Sequence, residues 1–476
     1  RKAALFSSWY EIFPRSYGAH RDENGDWVSG TLAGAAQQIP RIANMGFSVI
    51  YLTPIHPIGT TFRKGRNNTL EAGPMDPGSP YGIGAPEGGH DAIHPDLGTF
   101  EDFDKFVAKA REHGIEVALD LALQCSPDHP WVKEHPEWFS ERADGSIAYA
   151  ENPPKKYQDI YPLNFDNDPE GIYRAVRDVV QKWIDHGVTL FRVDNPHTKP
   201  LSFWQRFLAE FNEKHPEVIF LAEAFTRPAM MRTLGALGYH QSYTYFTWRT
   251  TKKELLEYFE EVSKDTAHVM RPNFWPTTHD ILTPQMTTGG AAIFALRAVL
   301  AATASPSWGI YSGYEFVENV QRPGFEEQID NEKYEYRPRD WEDANKYGIE
   351  NLLTLLNTAR GRHPALQQLH RIQVHETSDD RLLCFSKHVP AKFSPNGEED
   401  TVIVVVNLDP HNAVEGSVDI DLSKLGATIN YGPNGPVLNV VDELDGVEYQ
   451  WGEHNYVRLE PSIRTAHVLA VRPASN

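Results

Sequence analysis

Four carboxylate residues stand near the ends of apolar runs that are spaced along the first 280 positions of the chain. They are Asp120, Asp194, Glu223 and Asp280, in the strings EVALDLA, LFRVDNP, VIFLAEAF and NFWPTTHDIL. A buried carboxylate costs free energy unless it is paired or used in chemistry. Apolar strands that each end in a carboxylate, with amphipathic helices between them, indicate a catalytic site at the carboxyl ends of parallel strands.

Arg192 and Asp194 lie two residues apart on one of these predicted strands. Side chains on a strand repeat with period two, so both should point to the same face. A cation beside Asp194 would keep that carboxylate ionised and aimed. Taken alone, the pair could instead be an ion pair that caps the following helix. The other three carboxylate strings favour the catalytic interpretation.

The apolar periodicity predicts an α/β fold with two parts. Residues 1–363 alternate short buried strands with amphipathic helices, which is typical of a (β/α)8 TIM barrel. Residues 364–476 carry only short alternating strands with turns such as Asn434-Gly435 and Asp445-Gly446 between them. We therefore expect a catalytic barrel over 1–363 and a C-terminal antiparallel β-sandwich over 364–476.

Two long irregular segments interrupt the barrel pattern, at residues 54–98 and 124–169. Loops of this length inside a compact fold are usually functional or disordered. Each carries a cationic string with amide donors beside it, TFRKGRNN and ENPPKKYQD. Lysine ammonium groups with Asn, Ser and Tyr donors suit a phosphate group. The alternative is a pair of solvated surface loops, but two such loops at one cleft favour an anionic ligand.

Composition excludes some classes of function. The net charge of −20 argues against nucleic acid as a partner, which would need a basic face. No apolar run approaches the ~20 residues of a membrane span. Cys125 and Cys384 are the only cysteines, so no disulfide framework is expected. This cysteine usage fits a reducing compartment, and we expect a cytoplasmic location.

The ordered set of carboxylates resembles the α-amylase superfamily, glycoside hydrolase family 13. The resemblance extends to the strings AIHP at 92–95 and YSGYE at 311–315. It implies a retaining mechanism with two carboxyl groups about 5–5.5 Å apart. Asp194 would be the nucleophile and Glu223 the general acid and base, while Asp280 would bind sugar hydroxyls more tightly as the ring flattens. The resemblance also implies that residues 124–169 form a small lobe over the cleft.

The same resemblance places Asp120, Arg192 and His279 at the floor of the donor pocket. Amylases usually carry an Asn-His pair after the position of Asp120, and the Asn is a calcium ligand. Here Gln124 and Cys125 occupy those positions. We therefore expect no metal and no cofactor, and a donor pocket built differently from that of an amylase.

The loop strings narrow the resemblance further. HPIGTTFRKGRNN, GSPYGIG, ENPPKKYQDIYPLNFDN and FRVDNPHTKP resemble the α-1,4-glucan:maltose-1-phosphate maltosyltransferases of the bacterial α-glucan pathway. The resemblance implies phosphate contacts from Ser79, Asn152, Lys155, Tyr157 and Asn195. It implies maltosyl contacts from Lys64, Asn68 and Gln124.

The implied reaction transfers a maltosyl unit from α-maltose 1-phosphate to the non-reducing 4-hydroxyl of an α-1,4-glucan, with release of phosphate. Two other interpretations use the same sequence. An amylase-type hydrolase would need the same carboxylates, and a non-catalytic glucan-binding relative would need only the fold. The sequence leaves the oligomeric state open, with a homodimer as one candidate.

Overall fold

The structure is a computed structural model that describes residues 1–472. Its central element is a parallel sheet whose strands are Ser7–Ile12, Val49–Leu52, Glu116–Leu121, Leu190–Asp194, Ile219–Glu223, Gln241–Ser242 and Ser307–Tyr311. The strands pair in chain order, and Ser7–Ile12 also pairs with Ser307–Tyr311. The sheet therefore curls round towards closure, which confirms the predicted α/β barrel.

The seventh position of the barrel differs from the prediction. The string NFWPTTHDIL was expected to follow a regular strand, but residues 272–274 reach their neighbours only through single bridges, Ser242 with Pro272 and Phe274 with Trp308. Pro272 and Pro276 lack the backbone N–H that a ladder requires. The prediction of a regular strand at this position is therefore wrong. The two single bridges still connect the sixth and eighth strands and so close the barrel.

Helices cover the outside of the barrel. The α-helices that follow successive barrel positions are Leu32–Ala36 and Ile39–Asn44, Phe100–Glu112, Pro169–Asp185, Leu201–Lys214, Pro228–Leu237, Lys252–Glu260, Gly290–Ala304, and Trp341–Tyr347 with Glu350–Arg362. Shorter helices are Lys2–Leu5, Pro130–Glu134 and Leu422–Leu425. Among residues 1–472, no helix is long and apolar enough to cross a membrane.

The barrel interior changes from apolar to charged along each strand. In the strand Leu190–Asp194, the inward positions are Leu190, Arg192 and Asp194, and in the strand Ile219–Glu223 the inward series ends at Glu223. Leu190 and Ile219 belong to the apolar cluster inside the barrel, with Trp9, Val49, Tyr51, Ala118, Leu221, Tyr243 and Trp275. The apolar layer supports the charged layer at the carboxyl ends of the strands.

Residues between the third strand and the helix Pro169–Asp185 form two small antiparallel strand pairs, of which the second is a hairpin. Gln124–Cys125 pairs with Tyr161–Pro162, and Ala150–Asn152 pairs with Lys155–Tyr157. A further hairpin, His20–Arg21 with Trp27–Val28, follows the first barrel strand. The lobe bounds 124–169 and the division at 363 stay predictions.

The last part of the chain is antiparallel, which confirms a C-terminal β domain. Its strands are Ile372–Thr377, Leu382–Val389, Asp400–Asn407, Val414–Asp419, Asn430–Gly432, Gly435–Asp442, Glu448–Trp451, His454–Leu459 and Ala466–Val471. The strand Asp400–Asn407 is buried on both faces. Val402 and Val404 join the large cluster that includes the barrel helices, whereas Ile403 and Val405 join a cluster made of C-terminal strands.

Gly309 on the eighth strand lies against the indole of Trp275 inside the barrel. A Cβ atom at Gly309 would stand 2.4 Å from that ring. We expect Gly309→Ala to lower the free energy of unfolding by about 1–3 kcal/mol, because the interior cannot take the extra methyl group without shifting Trp275. Thermal and urea unfolding followed by circular dichroism would measure the change.

Gly361→Ala is the matched control for this substitution. Gly361 lies in an exposed helix turn with nothing within 4 Å of the added carbon. It should leave stability unchanged or raise it slightly through helix propensity. An unfolding midpoint of Gly309→Ala equal to that of the unmodified protein would contradict the packing described here.

Candidate active site

A single buried guanidinium group joins three carboxylates from three neighbouring strands. Arg192 is 1% exposed. Its Nη1 atom lies 2.8 Å from Asp194 Oδ1 and 3.2 Å from Asp120 Oδ2. Its Nη2 atom lies 3.6 Å from Glu223 Oε1. The strand register explains the arrangement, because Arg192 stands opposite Asp120 and Asp194 stands opposite Glu223. Arg192 and Asp194 share a face, as the sequence predicted.

The carboxylates around Arg192 differ in their electrostatic surroundings. Burial raises the pKa of Glu223 to about 7, against the opposing effect of Arg192. Burial likewise raises the pKa of Asp120 to about 6, and Arg192 again opposes the shift. Asp120 also accepts hydrogen bonds from the hydroxyls of Tyr51 and Tyr81. Glu223 can therefore exchange a proton near neutral pH, which is what a general acid and base requires.

Asp280 has the opposite environment. Burial acts to raise its pKa, but Lys333 and His279 more than offset burial and hold the pKa well below its usual range. Lys333 Nζ lies 2.9 Å from Asp280 Oδ1, and His279 Nε2 lies 3.2 Å from Asp280 Oδ2. Although burial opposes it, Asp280 together with Glu11 raises the pKa of His279 to about 10. Asp280 is thus an ionised carboxylate between two cations.

A cavity opens above these carboxylates. The residues that line it are Lys64, Asn68, Ser79, Tyr81, Gln124, Tyr157, Asp159, Ile160, Asp194, Asn195, Asp280, Lys333 and Tyr334. The structure therefore brings two of the predicted catalytic residues together with most of the predicted substrate contacts. Segments from both long loops, residues 54–98 and 124–169, contribute to its walls.

Several contacts orient the polar groups of the cavity. Gln124 Nε2 donates to Asp194 Oδ2 at 3.3 Å, so both oxygens of Asp194 are held. The backbone N–H of Asn195 donates to Glu223 Oε2 at 3.2 Å. Lys64 Nζ donates to Gln158 Oε1 at 2.5 Å. The first two contacts fix the carboxylates of Asp194 and Glu223 relative to the cavity.

Other predicted site residues lie beside the cavity rather than on its wall. Asp120 and Glu223 form ion pairs with Arg192, and His279 contacts Asp280. Asn152 and Lys155 pair with each other at the end of the hairpin that carries Tyr157, and neither is among the lining residues. Lys155 Nζ lies 3.5 Å from Glu327 Oε1, and the charge of Lys155 still contributes to the lowered pKa of Asp280.

Some residues of the site were not predicted from the sequence. Glu11 bonds to His279, and Lys333 bonds to Asp280, while Tyr81 and Tyr334 line the cavity. Glu11 could have been found from the sequence, since it is a carboxylate inside the apolar string SWYEIF of the first strand. Lys333 lies in an irregular segment after the eighth strand, where no periodicity marks it.

His90, Cys125 and His129 form the one group with metal-ligand spacing in the described part of the chain. His129 Nδ1 accepts from the N–H of Trp131 at 3.0 Å, so the proton of a neutral His129 is on Nε2. That nitrogen lies 3.0 Å from His90 Nδ1, and His90 Nε2 lies 2.7 Å from the carbonyl of Ala122. Every ring nitrogen is thus already used in one chain of hydrogen bonds. The group does not fit a metal ion, which would need His129 Nε2 unprotonated.

The chain has the fold of the α-amylase class. The family model "Alpha amylase, catalytic domain" matches residues 11–171. A maltogenic α-amylase of Thermotoga neapolitana shares the fold with a TM-score of 0.73 at 17% identity, covering 100% of both chains. An α-amylase of Lactobacillus plantarum does so with a TM-score of 0.70 at 20% identity, covering 99% of this chain and 100% of that one.

Closer relatives identify the family within that class. The model "GLGE, C-terminal" matches residues 374–471. The α-1,4-glucan:maltose-1-phosphate maltosyltransferase of Arcanobacterium haemolyticum is 61% identical, over 100% of this chain and 69% of that protein. The protein of the same name from Bifidobacterium longum is 54% identical, over 99% of this chain and 63% of that protein. The chain belongs to the family of α-1,4-glucan:maltose-1-phosphate maltosyltransferases, and it spans about two thirds of the length of these relatives.

The raised pKa of Glu223 predicts how stability depends on pH. The folded carboxyl has a pKa of about 7 in place of 4.5, so folding favours its protonated form. This contribution to stability is complete below pH 4.5 and is lost as the pH rises through 7. Glu223→Gln, which cannot ionise, should therefore exceed the unmodified protein in free energy of unfolding at pH 8, by up to about 3 kcal/mol. The difference should shrink towards pH 5.

Urea unfolding at pH 5 and pH 8 measures this difference. Glu213→Gln is the control, because Glu213 is exposed on the helix Leu201–Lys214 and the substitution should have the same small effect at both pH values. An equal effect of Glu223→Gln at both pH values would be incompatible with a buried carboxyl that titrates near neutral pH.

Proposed function

We propose that the protein transfers a maltosyl unit from α-maltose 1-phosphate to the non-reducing 4-hydroxyl of an α-1,4-glucan, with net retention at the anomeric carbon. The observation that carries the proposal is the cavity, in which Asp194 and Asp280 stand beside Lys64, Gln124, Tyr157 and Asn195. A generic α-glucan hydrolase needs the carboxylates, whereas the cationic and amide groups suit a phosphorylated sugar. The names of the relatives from Arcanobacterium haemolyticum and Bifidobacterium longum support the same reaction.

In the first half of the reaction, a carboxylate oxygen of Asp194 attacks the anomeric carbon. Arg192 and Gln124 hold the two oxygens of Asp194, so its aim is fixed before the substrate arrives. The bond from the anomeric carbon to the phosphate oxygen breaks, and phosphate leaves with the electron pair. The product is a covalent β-maltosyl ester on Asp194.

In the second half, the 4-hydroxyl of the glucan attacks the same carbon. Glu223 accepts the proton of that hydroxyl, and the ester bond to Asp194 breaks, which restores the α configuration. The N–H of Asn195 and the guanidinium of Arg192 hold Glu223 in place. Its pKa near 7 allows it to take up this proton and release it afterwards.

Asp280 stabilises the flattened, positively charged ring in the transition state of each of these two steps. Its carboxylate is ionised because Lys333 and His279 flank it, and His279 is held in turn by Glu11. Sugar hydroxyls bound to an ionised carboxylate gain the most when positive charge develops on the ring. Asp280 therefore acts in the transition state more than in the ground state.

The phosphate lies, in this proposal, between the two long loops. Ser79, Tyr157 and Asn195 offer donors from the cavity wall. Lys155 and Asn152 lie on the adjacent hairpin, where Lys155 now contacts Glu327. A phosphate would offer Lys155 a stronger anionic partner than the carboxylate of Glu327, which lies 3.5 Å away. The maltosyl unit contacts Lys64, Asn68 and Gln124, with Asp120, Arg192 and His279 beneath it.

We also propose a cytoplasmic location and a homodimer. Both cysteines are buried and free, which fits a reducing compartment. The homodimer stays a prediction, as do the absence of a membrane partner and of a nucleic-acid partner.

Incubation with maltose 1-phosphate and a maltooligosaccharide tests the reaction. We expect phosphate release together with oligosaccharides lengthened by two glucose units, and we expect Asp194→Ala to lower both rates by at least about 10³-fold. Release of free maltose without lengthening would identify a hydrolase. Full activity of Asp194→Ala would favour a role for the carboxylate outside the chemistry. A fluorinated maltosyl donor should leave a maltosyl adduct on Asp194 that mass spectrometry can locate.

The rate of transfer should fall as the pH drops below about 7. Glu223 must be ionised to accept the proton of the acceptor, and it becomes protonated as the pH falls through its pKa of about 7. The measurement is kcat at saturating donor and acceptor from pH 5 to pH 9. Glu223→Gln should abolish transfer, so the fall of kcat on the acidic side of the pH profile, its acidic limb, should disappear as well. A limb near pH 4.5 would contradict the raised pKa.

A further inference from the structure

A buried lysine lies beneath the two proposed catalytic carboxylates and has no role in the mechanism above. Lys199 is 9% exposed. Its Nζ atom lies 3.3 Å from the carbonyl oxygen of Asn195 and 3.5 Å from that of Asp194. It forms no ion pair within residues 1–472, so the ammonium group is held by carbonyl oxygens. A buried ammonium group without a carboxylate partner is costly and calls for a reason.

The carbonyl that Lys199 holds belongs to a residue in an unusual conformation. Asn195 has φ 42° and ψ 53°, the left-handed region that residues other than glycine rarely adopt. Its side chain lines the cavity, and its N–H donates to Glu223. The backbone conformation of Asn195 therefore positions two groups at once. One is the Asn195 side chain, a proposed phosphate donor, and the other is the N–H that donates to Glu223.

Thr198 supports the same turn without charge. Its hydroxyl donates to the carbonyl of Asn195 at 2.8 Å, and its backbone N–H lies 3.1 Å from the same oxygen. Lys199 and Thr198 thus share a geometric task, but only Lys199 brings a positive charge. A comparison of the two residues can separate geometry from charge.

The positive charge of Lys199 acts on the carboxylates above it. The charges of Asp194, Glu223 and Asp120 each bear on the pKa of Lys199, so the ammonium group acts on them in return. Arg192 alone bonds to all three carboxylates, and one guanidinium leaves an excess of negative charge in a buried region. The ammonium group of Lys199 is a second buried cation, and its charge offsets part of this excess negative charge.

We propose that Lys199 is a positioning residue for the transfer reaction: it holds the Asn195 turn, and its charge keeps Glu223 ionised so that Glu223 can accept the proton of the acceptor. This inference rests on the proposed function. It makes Lys199 act through Asn195 and Glu223 rather than by contact with the substrate.

Several groups besides Lys199 influence the ionisation of Glu223. Burial, Asp194 and Asp280 favour its protonated form, whereas Arg192 and the N–H of Asn195 favour its ionised form. The remaining ionisable neighbours of this region are Tyr157 and Tyr243, on which the charge of Glu223 acts, and His197, on which the charges of Lys199 and Asp194 act. Removal of one of the two buried cations should therefore raise the pKa of Glu223.

The test compares the pH dependence of kcat for transfer in four proteins: unmodified, Lys199→Met, Lys199→Arg and Thr198→Val. Lys199→Met should move the acidic limb up by about one pH unit. At pH 7 the ionised fraction of Glu223 would fall about fivefold, and kcat with it. At pH 9 this part of the loss should disappear. Lys199→Arg should keep the limb in place, and Thr198→Val should lower kcat by the same factor at every pH.

An acidic limb of Lys199→Met at the pH of the unmodified protein would overturn the proposal, as would equal limb shifts in Lys199→Met and Lys199→Arg. If Lys199→Met does not fold, Lys199→Gln replaces it, because its amide can reach the carbonyls without a charge. Failure of the proposed function is distinguishable, since the unmodified protein would then lengthen no oligosaccharide. In that case the stability advantage of Glu223→Gln should still level off at a higher pH in the Lys199→Met background, because that pH follows the folded pKa of Glu223. A plateau at an unchanged pH would overturn the inference.

Discussion

The site depends on one buried cation that compensates three buried carboxylates. Arg192 bonds to Asp120, Asp194 and Glu223 from the centre of the barrel, where water cannot screen their mutual repulsion. Without a guanidinium group at this point, the carboxylates could not remain ionised so close together. The planar fork of arginine can bridge several carboxylates at once, which a lysine ammonium cannot do with the same geometry. The parallel register of the strands supplies the positions that this fork connects.

The protein gives its carboxylates different proton affinities by surrounding them differently. Glu223 is buried, with Arg192 3.6 Å away and two carboxylate neighbours, and burial raises its pKa to about 7. Asp280 is buried between Lys333 and His279, so its pKa falls well below the usual range. Titratable groups whose environments push their pKa values apart are typical of sites that need both a proton carrier and a fixed charge. In the proposed reaction, the raised pKa of Glu223 suits its role as a proton acceptor near neutral pH.

The loops supply the groups that would select the substrate, while the barrel strands supply the carboxylates. The carboxylates are held by regular strands, whereas the groups above them come from the long segments 54–98 and 124–169 and from the segment after the eighth strand. Two solved amylases share the whole fold at 17% and 20% identity, whereas the maltosyltransferase of Arcanobacterium haemolyticum is 61% identical. A rigid scaffold with variable loops allows one mechanism to serve different donors.

The sequence by itself determined the barrel, the C-terminal β domain and the carboxylates at the strand ends, because period-two alternation and apolar runs are local properties. It also placed Arg192 and Asp194 on one face. Pro272 and Pro276 were a local sign that the seventh position would reduce to single bridges, and the prediction of a regular strand overlooked it. Only the tertiary structure decided the partners of Asp280 and His279. Lys333 is 53 residues from Asp280, and Glu11 is 268 residues from His279. Such contacts depend on how the barrel closes and on the path of irregular loops, for which no periodicity exists in the sequence.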